Sequence, residues 1–270
     1  MPLIEVNGLK LFYKTEDQSN SAAPVLLFLH GLGSSSADWA LQSHFFSQHY
    51  RILMVDLRAH GRSRHPGGRL TIEMMADDVD ALLARLEIAS AHVVGLSLGG
   101  CVALTLALRH PARVRSLILV NTFARLQPDG LRGLFRMITR VWLLLFAPMP
   151  VIAAHVAQGL FPKSEQVAYY KSAVASLSQN SKRAYLVSIR ALLGFDLRKQ
   201  VRLIQCPTLV IAGDRDRTVP LAAKEALCRS IPSAQLCVIP DSGHATPYDQ
   251  AELFNHAVDE FISCLSSLRL

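Results

Sequence analysis

Gly95-Leu96-Ser97-Leu98-Gly99 is the stretch on which the reading of this chain turns. It closes an apolar run at residues 91–95 and opens a segment with helical patterning at residues 98–110. A serine between a strand and a helix occupies a tight, strained turn. Small neighbours are needed there, because larger side chains would collide with the adjoining strand and helix. The turn lifts the hydroxyl above the sheet, and the helix N-terminus behind it favours developing negative charge. G-x-S-x-G alone is common by chance, and a small residue at a tight turn is the plain alternative. The strand–turn–helix setting gives the motif its weight.

Working outward, short apolar runs at Val25–Leu29, 52–57 and Val114–Val120 each end at a Gly, Asp or Asn. Ile72, Met75, Val79, Leu82, Leu83 and Leu86 recur at helical spacing. Such alternation predicts a mostly parallel sheet with helices on both faces. Residues 4–6 and 9–13 around Asn7-Gly8 predict a hairpin at its start. Strands return at 208–212 and 235–239, followed by a helix over 247–265. Between 127 and 197 only helical patterns occur, broken at Pro148, Pro150 and Pro162. The expected organisation is a core of residues 1–122 and 198–270, interrupted by a helical insertion at 123–197.

Val141 to Pro162 holds no charged residue, yet Pro148 and Pro150 near its middle argue against a membrane span. Two lid helices joined by Pro-Met-Pro are expected. Contact with a membrane surface is the other reading, since Arg136 and Arg140 precede the apolar run.

The chain has 270 residues, 50% hydrophobic and 18% charged, which excludes long disorder and suits one large domain. No secretory signal opens it, and Cys101, Cys206, Cys228, Cys237 and Cys264 lack C-x-x-C spacing. Reduced thiols in a cytoplasmic protein are expected, with no structural metal. Between Phe123 and Gln200, eleven Lys and Arg face three Asp and Glu, so that segment carries the whole excess behind the net charge of +7. That asymmetry fits either a solvated surface or an anionic partner. Without basic runs interleaved with aromatics, nucleic acid is not a partner.

A nucleophilic serine needs a base. His244, in Asp241-Ser242-Gly243-His244, follows the last strand directly and so lies at the sheet edge where open α/β sheets place their sites. The acid should come from another strand end before it, which offers Asp214 and Asp216. Asn121, at the preceding strand end, cannot hold an imidazolium by charge. The oxyanion would be met by the backbone N–H of Leu98 and of Leu32, in His30-Gly31-Leu32-Gly33. Neither G-x-G-x-x-G nor G-x-x-x-x-G-K-[ST] occurs, and no cofactor is expected.

With these pieces in place the chain resembles the α/β-hydrolase superfamily over nearly its whole length. It is most similar to the branch of 3-oxoadipate enol-lactonases, meta-cleavage-product hydrolases and small carboxylesterases. The resemblance rests on His30–Gly33, Asp56-Leu57-Arg58-Ala59-His60-Gly61-Arg62-Ser63, the segment 95–100, the segment 213–220 and Ser242-Gly243-His244. It implies an α/β-hydrolase fold with an eight-stranded sheet and a helical cap over the pocket. The family pattern G-x-x-D-x-x-V-P falls on Asp216. Ala59 departs from the glycine many relatives carry.

The implied reaction is hydrolysis of a small ester or lactone through an acyl-enzyme on Ser97, and the basic insertion would suit an anionic substrate. Phe123, Trp142 and Phe146 would contact substrate from the cap. C–C hydrolysis of a dienone and non-catalytic ligand binding are the alternatives. The oligomeric state is open.

Overall fold

The computed structural model describes residues 2–16, 23–126 and 130–267, with only the backbone at 131, 132, 134, 136, 137 and 140. Eight strands form one sheet: β1 (Leu3–Val6), β2 (Leu9–Glu16), β3 (Val25–Leu29), β4 (Arg51–Val55), β5 (Ala91–Leu96), β6 (Val114–Val120), β7 (Thr208–Gly213) and β8 (Ala234–Ile239). Their order is β1-β2-β4-β3-β5-β6-β7-β8. The first two strands run antiparallel, as a hairpin turned at Asn7 (φ 45°) and Gly8 (φ 72°). Every later pairing is parallel. This is the mostly parallel eight-stranded architecture expected from the alternating pattern.

Both sheet faces are covered, which is why the central strands read as unbroken apolar runs. Leu26, Leu27, Phe28 and Leu29 of β3 are fully buried. Alternate residues serve opposite faces. Leu27 and Leu29 pack with α2 (Ile72–Arg85) and α3 (Leu98–Arg109), while Leu26 and Phe28 pack with Trp39, Phe46 and Phe254. Those last residues belong to the segment entering α1 (Ala40–Phe46) and to the terminal helix. Thr71 caps α2, its hydroxyl accepting from Met74 N at 3.2 Å.

Four helices lie between β6 and β7: α4 (Gly130–Phe146), α5 (Met149–Leu160), α6 (Val167–Ser178) and α7 (Lys182–Leu193). The insertion leaves and returns through one neck, where Arg125 bridges Asp196 and Leu197 N donates to Ala124 O at 2.8 Å. Pro150 does not break a helix. Pro148 is the N-cap of α5 and Pro150 lies in its first turn, where a missing N–H costs nothing. The final helical stretch, expected over 247–265, is instead split at Gln250 into α9 (Thr246–Asp249) and α10 (Ala251–Ser267). Between β7 and β8 stands α8 (Leu221–Ser230), which the sequence reading left unassigned, as it did α1. No described helix is long and apolar enough to cross a membrane.

The chain turns from β3 to β4 on one side and then crosses to β5 on the other. Beyond the carboxyl ends of β3 and β5 this reversal opens a crevice, the usual ligand position in such sheets.

Candidate active site

Ser97 sits at that crevice, between β5 and α3, with φ 52° and ψ −110°. A non-glycine residue in this conformation costs about 1–3 kcal/mol and persists only where its surroundings hold it. They do so here: Ser97 N donates to Val120 O at 2.9 Å, while Ser97 O accepts from Thr122 Oγ1 at 2.7 Å and from Cys101 N at 3.1 Å. The motif's glycines are required by close backbone crossings. A Cβ on Gly99 would strike the Leu29 carbonyl, and one on Gly95 would strike Gly99 O. The first N–H groups of α3, starting with Leu98, have no intrahelical partner and carry the positive end of the helix dipole.

The loop after β3 faces them. Buried His30 donates from Nδ1 to Gly31 O (2.8 Å) and accepts at Nε2 from Leu57 N (3.0 Å). These two bonds require its neutral form, and burial holds its pKa below the usual value. His60 lies edge-on to it at 5.1 Å, and burial drives its pKa down to about 3. Two neutral imidazoles thus brace the loop carrying Gly31, Leu32 and Gly33. The insertion clamps the same loop, since Asn180 Nδ2 donates to Gly33 O at 2.7 Å.

His244 lies beyond β8, with Nδ1 2.9 Å from Oδ2 of Asp216, both residues buried. The other oxygen of Asp216 accepts from Thr218 N (2.7 Å) and Val219 N (3.1 Å). Burial alone would raise the Asp216 pKa. The charge and hydrogen bond of His244, the Lys224 ammonium and the Val219 N–H outweigh it and bring the value down to about 2. Asp214, the other candidate, is exposed and instead accepts from Ser242 N at 3.2 Å. Geometry therefore puts Asp216, not Asp214, against the imidazole.

Two further residues have roles that the sequence reading did not suggest. Asn121 (φ 44°) accepts at Oδ1 from Gly213 N (2.9 Å) and donates from Nδ2 to Gly243 O, His244 O and Thr246 Oγ1 at 2.8–3.1 Å. It ties the end of β7 to the His244 loop. Lys224 of α8 is fully buried and reaches Asn121 Oδ1, Gly213 O and Asp216 Oδ2 at 3.0–3.1 Å, which satisfies all three ammonium protons. Burial lowers its pKa, opposed by Asp216. A signal existed: Lys224 shares the apolar spacing of Leu227, Cys228 and Ile231, where a solvated lysine does not belong.

Ser97, His244, Leu32 and Gly33 line one cavity of about 590 Å³, roofed by the insertion. Its wall is chiefly apolar, including Phe123, Leu144, Phe161, Leu177, Ile189 and Leu192. Asp38 adds a polar spot beside Tyr248, burial pushing its carboxyl up to about 6. Phe123 is thus where substrate contact was expected, but Trp142 and Phe146 are not. They pack on each other at 5.6 Å on the outer surface, 59% and 70% exposed, because the inward face of α4 belongs to Gly133 and Leu144. The insertion's described cations also stay out of the wall. Lys163 pairs with Asp241, Arg125 with Asp196, and Lys182 meets the Leu145 and Ala147 carbonyls. Among the described residues, the cation in the cavity wall is Arg217, from the loop after β7. The side chains of Arg132, Arg136 and Arg140, and Asp129 entirely, lie outside the described residues.

A family model described as the alpha/beta hydrolase fold matches residues 24–251. The 3-oxoadipate enol-lactonase 2 of Acinetobacter baylyi is 30% identical over 256 residues, covering 95% of this chain and 94% of its own. A RutD protein of a Caulobacter species, named for carbamate hydrolysis, is 33% identical over 262 residues, covering 94% and 96%. Among solved structures, the enol-lactonase from Burkholderia xenovorans LB400 superposes with a TM-score of 0.89 at 29% identity, over 97% of this chain and all of that one. These similarities span the insertion as well as the sheet.

Proposed function

The chain belongs to the α/β-hydrolase fold family, and from that premise we propose that it is a serine hydrolase cleaving carboxylic esters or lactones with an apolar acyl part. The observation that carries this reading is the joint placement of Ser97 and His244 on one cavity, with Asp216 directly behind the imidazole. In the proposed mechanism His244 takes the Ser97 proton as the hydroxyl oxygen attacks the carbonyl carbon. Leu98 and Leu32 N–H groups receive the oxyanion, and Asp216 holds the imidazolium. His244 then delivers the proton to the leaving alcohol. Water repeats the sequence on the acyl-enzyme and frees the acid and Ser97.

The cap-like position of α4–α7 over the cavity supports assigning substrate choice to the insertion. The wall favours apolar acyl groups over carboxylates, since Arg217 is its described cation and Asp38 adds an acidic group. The relatives named for enol-lactone and carbamate cleavage support hydrolysis at an activated carbonyl.

A series of aryl esters from acetyl to hexanoyl tests the proposal. kcat/KM should rise about tenfold along the series, as added methylenes leave water. Ser97→Ala should lower kcat by about four orders of magnitude or more on every ester. Turnover retained in Ser97→Ala would remove the nucleophile assignment, and a preference for acetyl would remove the apolar acyl site.

A further inference from the structure

The outer face of α4 is more apolar than a water-facing helix allows. Phe135, Ile138, Trp142, Leu145 and Phe146 are 56–71% exposed. Their spacing of three and four puts them on a single stripe, which Val151 of α5 (48% exposed) extends. Large apolar side chains this exposed along one helix face mark a contact site.

Charge identifies what the stripe meets. From Gly130 to Ser164 the chain has no Asp or Glu. The sequence of α4 holds three cations, Arg132, Arg136 and Arg140. At the other end Lys182 Nζ sits against the Leu145 and Ala147 carbonyls, a described cation beside the last turn. An apolar stripe on a helix whose sequence holds cations and no acid complements an anionic lipid surface. A second copy of the chain would bring the same net positive helix against itself, which like-charge repulsion opposes. Phe135 and Val141 also line the cavity, so the patch and the cavity share a rim.

We propose that α4 is an interfacial helix that docks this chain on an anionic membrane surface, its aromatic and aliphatic stripe entering the acyl layer and its net positive charge drawing it to the headgroups. The cavity rim then faces the lipid, which lets apolar esters enter from the bilayer. Docking does not depend on the proposed reaction, because the stripe lies outside the Ser97–His244–Asp216 arrangement.

The chain's two tryptophans make the test direct. Trp39 is buried against Phe28 at 4.8 Å, whereas Trp142 is on the stripe. Titration with phosphatidylcholine vesicles containing an equal share of phosphatidylglycerol should shift Trp142 emission to the blue and co-sediment the protein. Affinity should fall about tenfold or more on pure phosphatidylcholine or in high salt. Leu145→Ser with Phe146→Ser, both exposed and outside the cavity wall, should fold normally, keep short-ester turnover and lose vesicle binding. Ser97→Ala should bind vesicles like the wild type, so failure of docking and failure of the hydrolase reading are separable. Equal binding to neutral vesicles would overturn the proposal. So would absent binding, whether the protein stays monomeric or self-associates through Leu145 and Phe146.

Discussion

Lys224 Nζ lies 3.1 Å from Oδ2 of Asp216, the same carboxylate oxygen that meets Nδ1 of His244 at 2.9 Å. The proposed triad acid is thus shared between an imidazole and a buried ammonium. A cation at that oxygen withdraws part of the negative charge that would stabilise an imidazolium. Lys224 acts through Asp216 and is a positioning residue.

Lys224→Met should therefore move the acid limb of the kcat/KM profile to higher pH, by about one unit. It should also lower stability by about 3 kcal/mol, as Asp216 Oδ2 and Asn121 Oδ1 each lose a donor. A purely structural lysine would give the stability loss and leave the acid limb in place. Denaturation together with a pH profile separates the two outcomes.

Asp38 has a pH signature of opposite sign to that of Asp216. Its folded pKa is raised to about 6, chiefly by burial. Between the ordinary carboxylate value and about pH 6 the folded state keeps a proton that the unfolded state has released. Stability conferred by the neutral acid is therefore present at low pH, falls through that window, and levels off above it. Asp38→Asn should gain about 2 kcal/mol over wild type at pH 7.5 and nothing near pH 4. Asp216, held down to about 2, contributes stability that is present at neutral pH and lost as pH falls below about 4 toward 2. Urea denaturation at both pH values checks the pair.

Ala59 holds φ at 70°, with its N–H donating to Ser63 O at 2.9 Å. A side chain there is strained by about 1 kcal/mol, part of which glycine returns as unfolded-state entropy. Ala59→Gly should raise stability by about 0.5 kcal/mol, read as a higher denaturation midpoint at unchanged slope. A lower midpoint would contradict the strain.

The cavity wall separates Phe161 from Trp142. Phe161 is buried in it and packs on Tyr169 and Tyr248 at 5.6 and 6.1 Å. Phe161→Ala should raise KM for a soluble hexanoyl ester severalfold, whereas Trp142→Ala should leave kcat/KM within about twofold. Equal effects would place Trp142 in the substrate path.

The fold was legible because β3 to β6 are buried on both faces and so read as unbroken apolar runs, and because their order brings Gly31, Ser97 and Asn121 to one edge. The placement of Ser97 and His244 followed from strand ends, and that of Asp216 over Asp214 from the family pattern. Three features did not. Lys224 and Asn121 act through partners far along the chain, and no local pattern names an acceptor. Trp142 and Phe146 are apolar like their neighbours, and only packing decides which side of α4 turns inward. The short helices α1 and α8 lack the sustained periodicity and caps that flag α2.

The central claim is that Ser97 is the nucleophile activated by His244. Incubation with a fluorophosphonate, followed by intact mass and peptide mapping, tests it most directly. The account predicts one adduct, on Ser97, whose formation is abolished in Ser97→Ala and slowed by at least about a hundredfold in His244→Ala. No adduct on the wild type, or one that persists in Ser97→Ala, would contradict it.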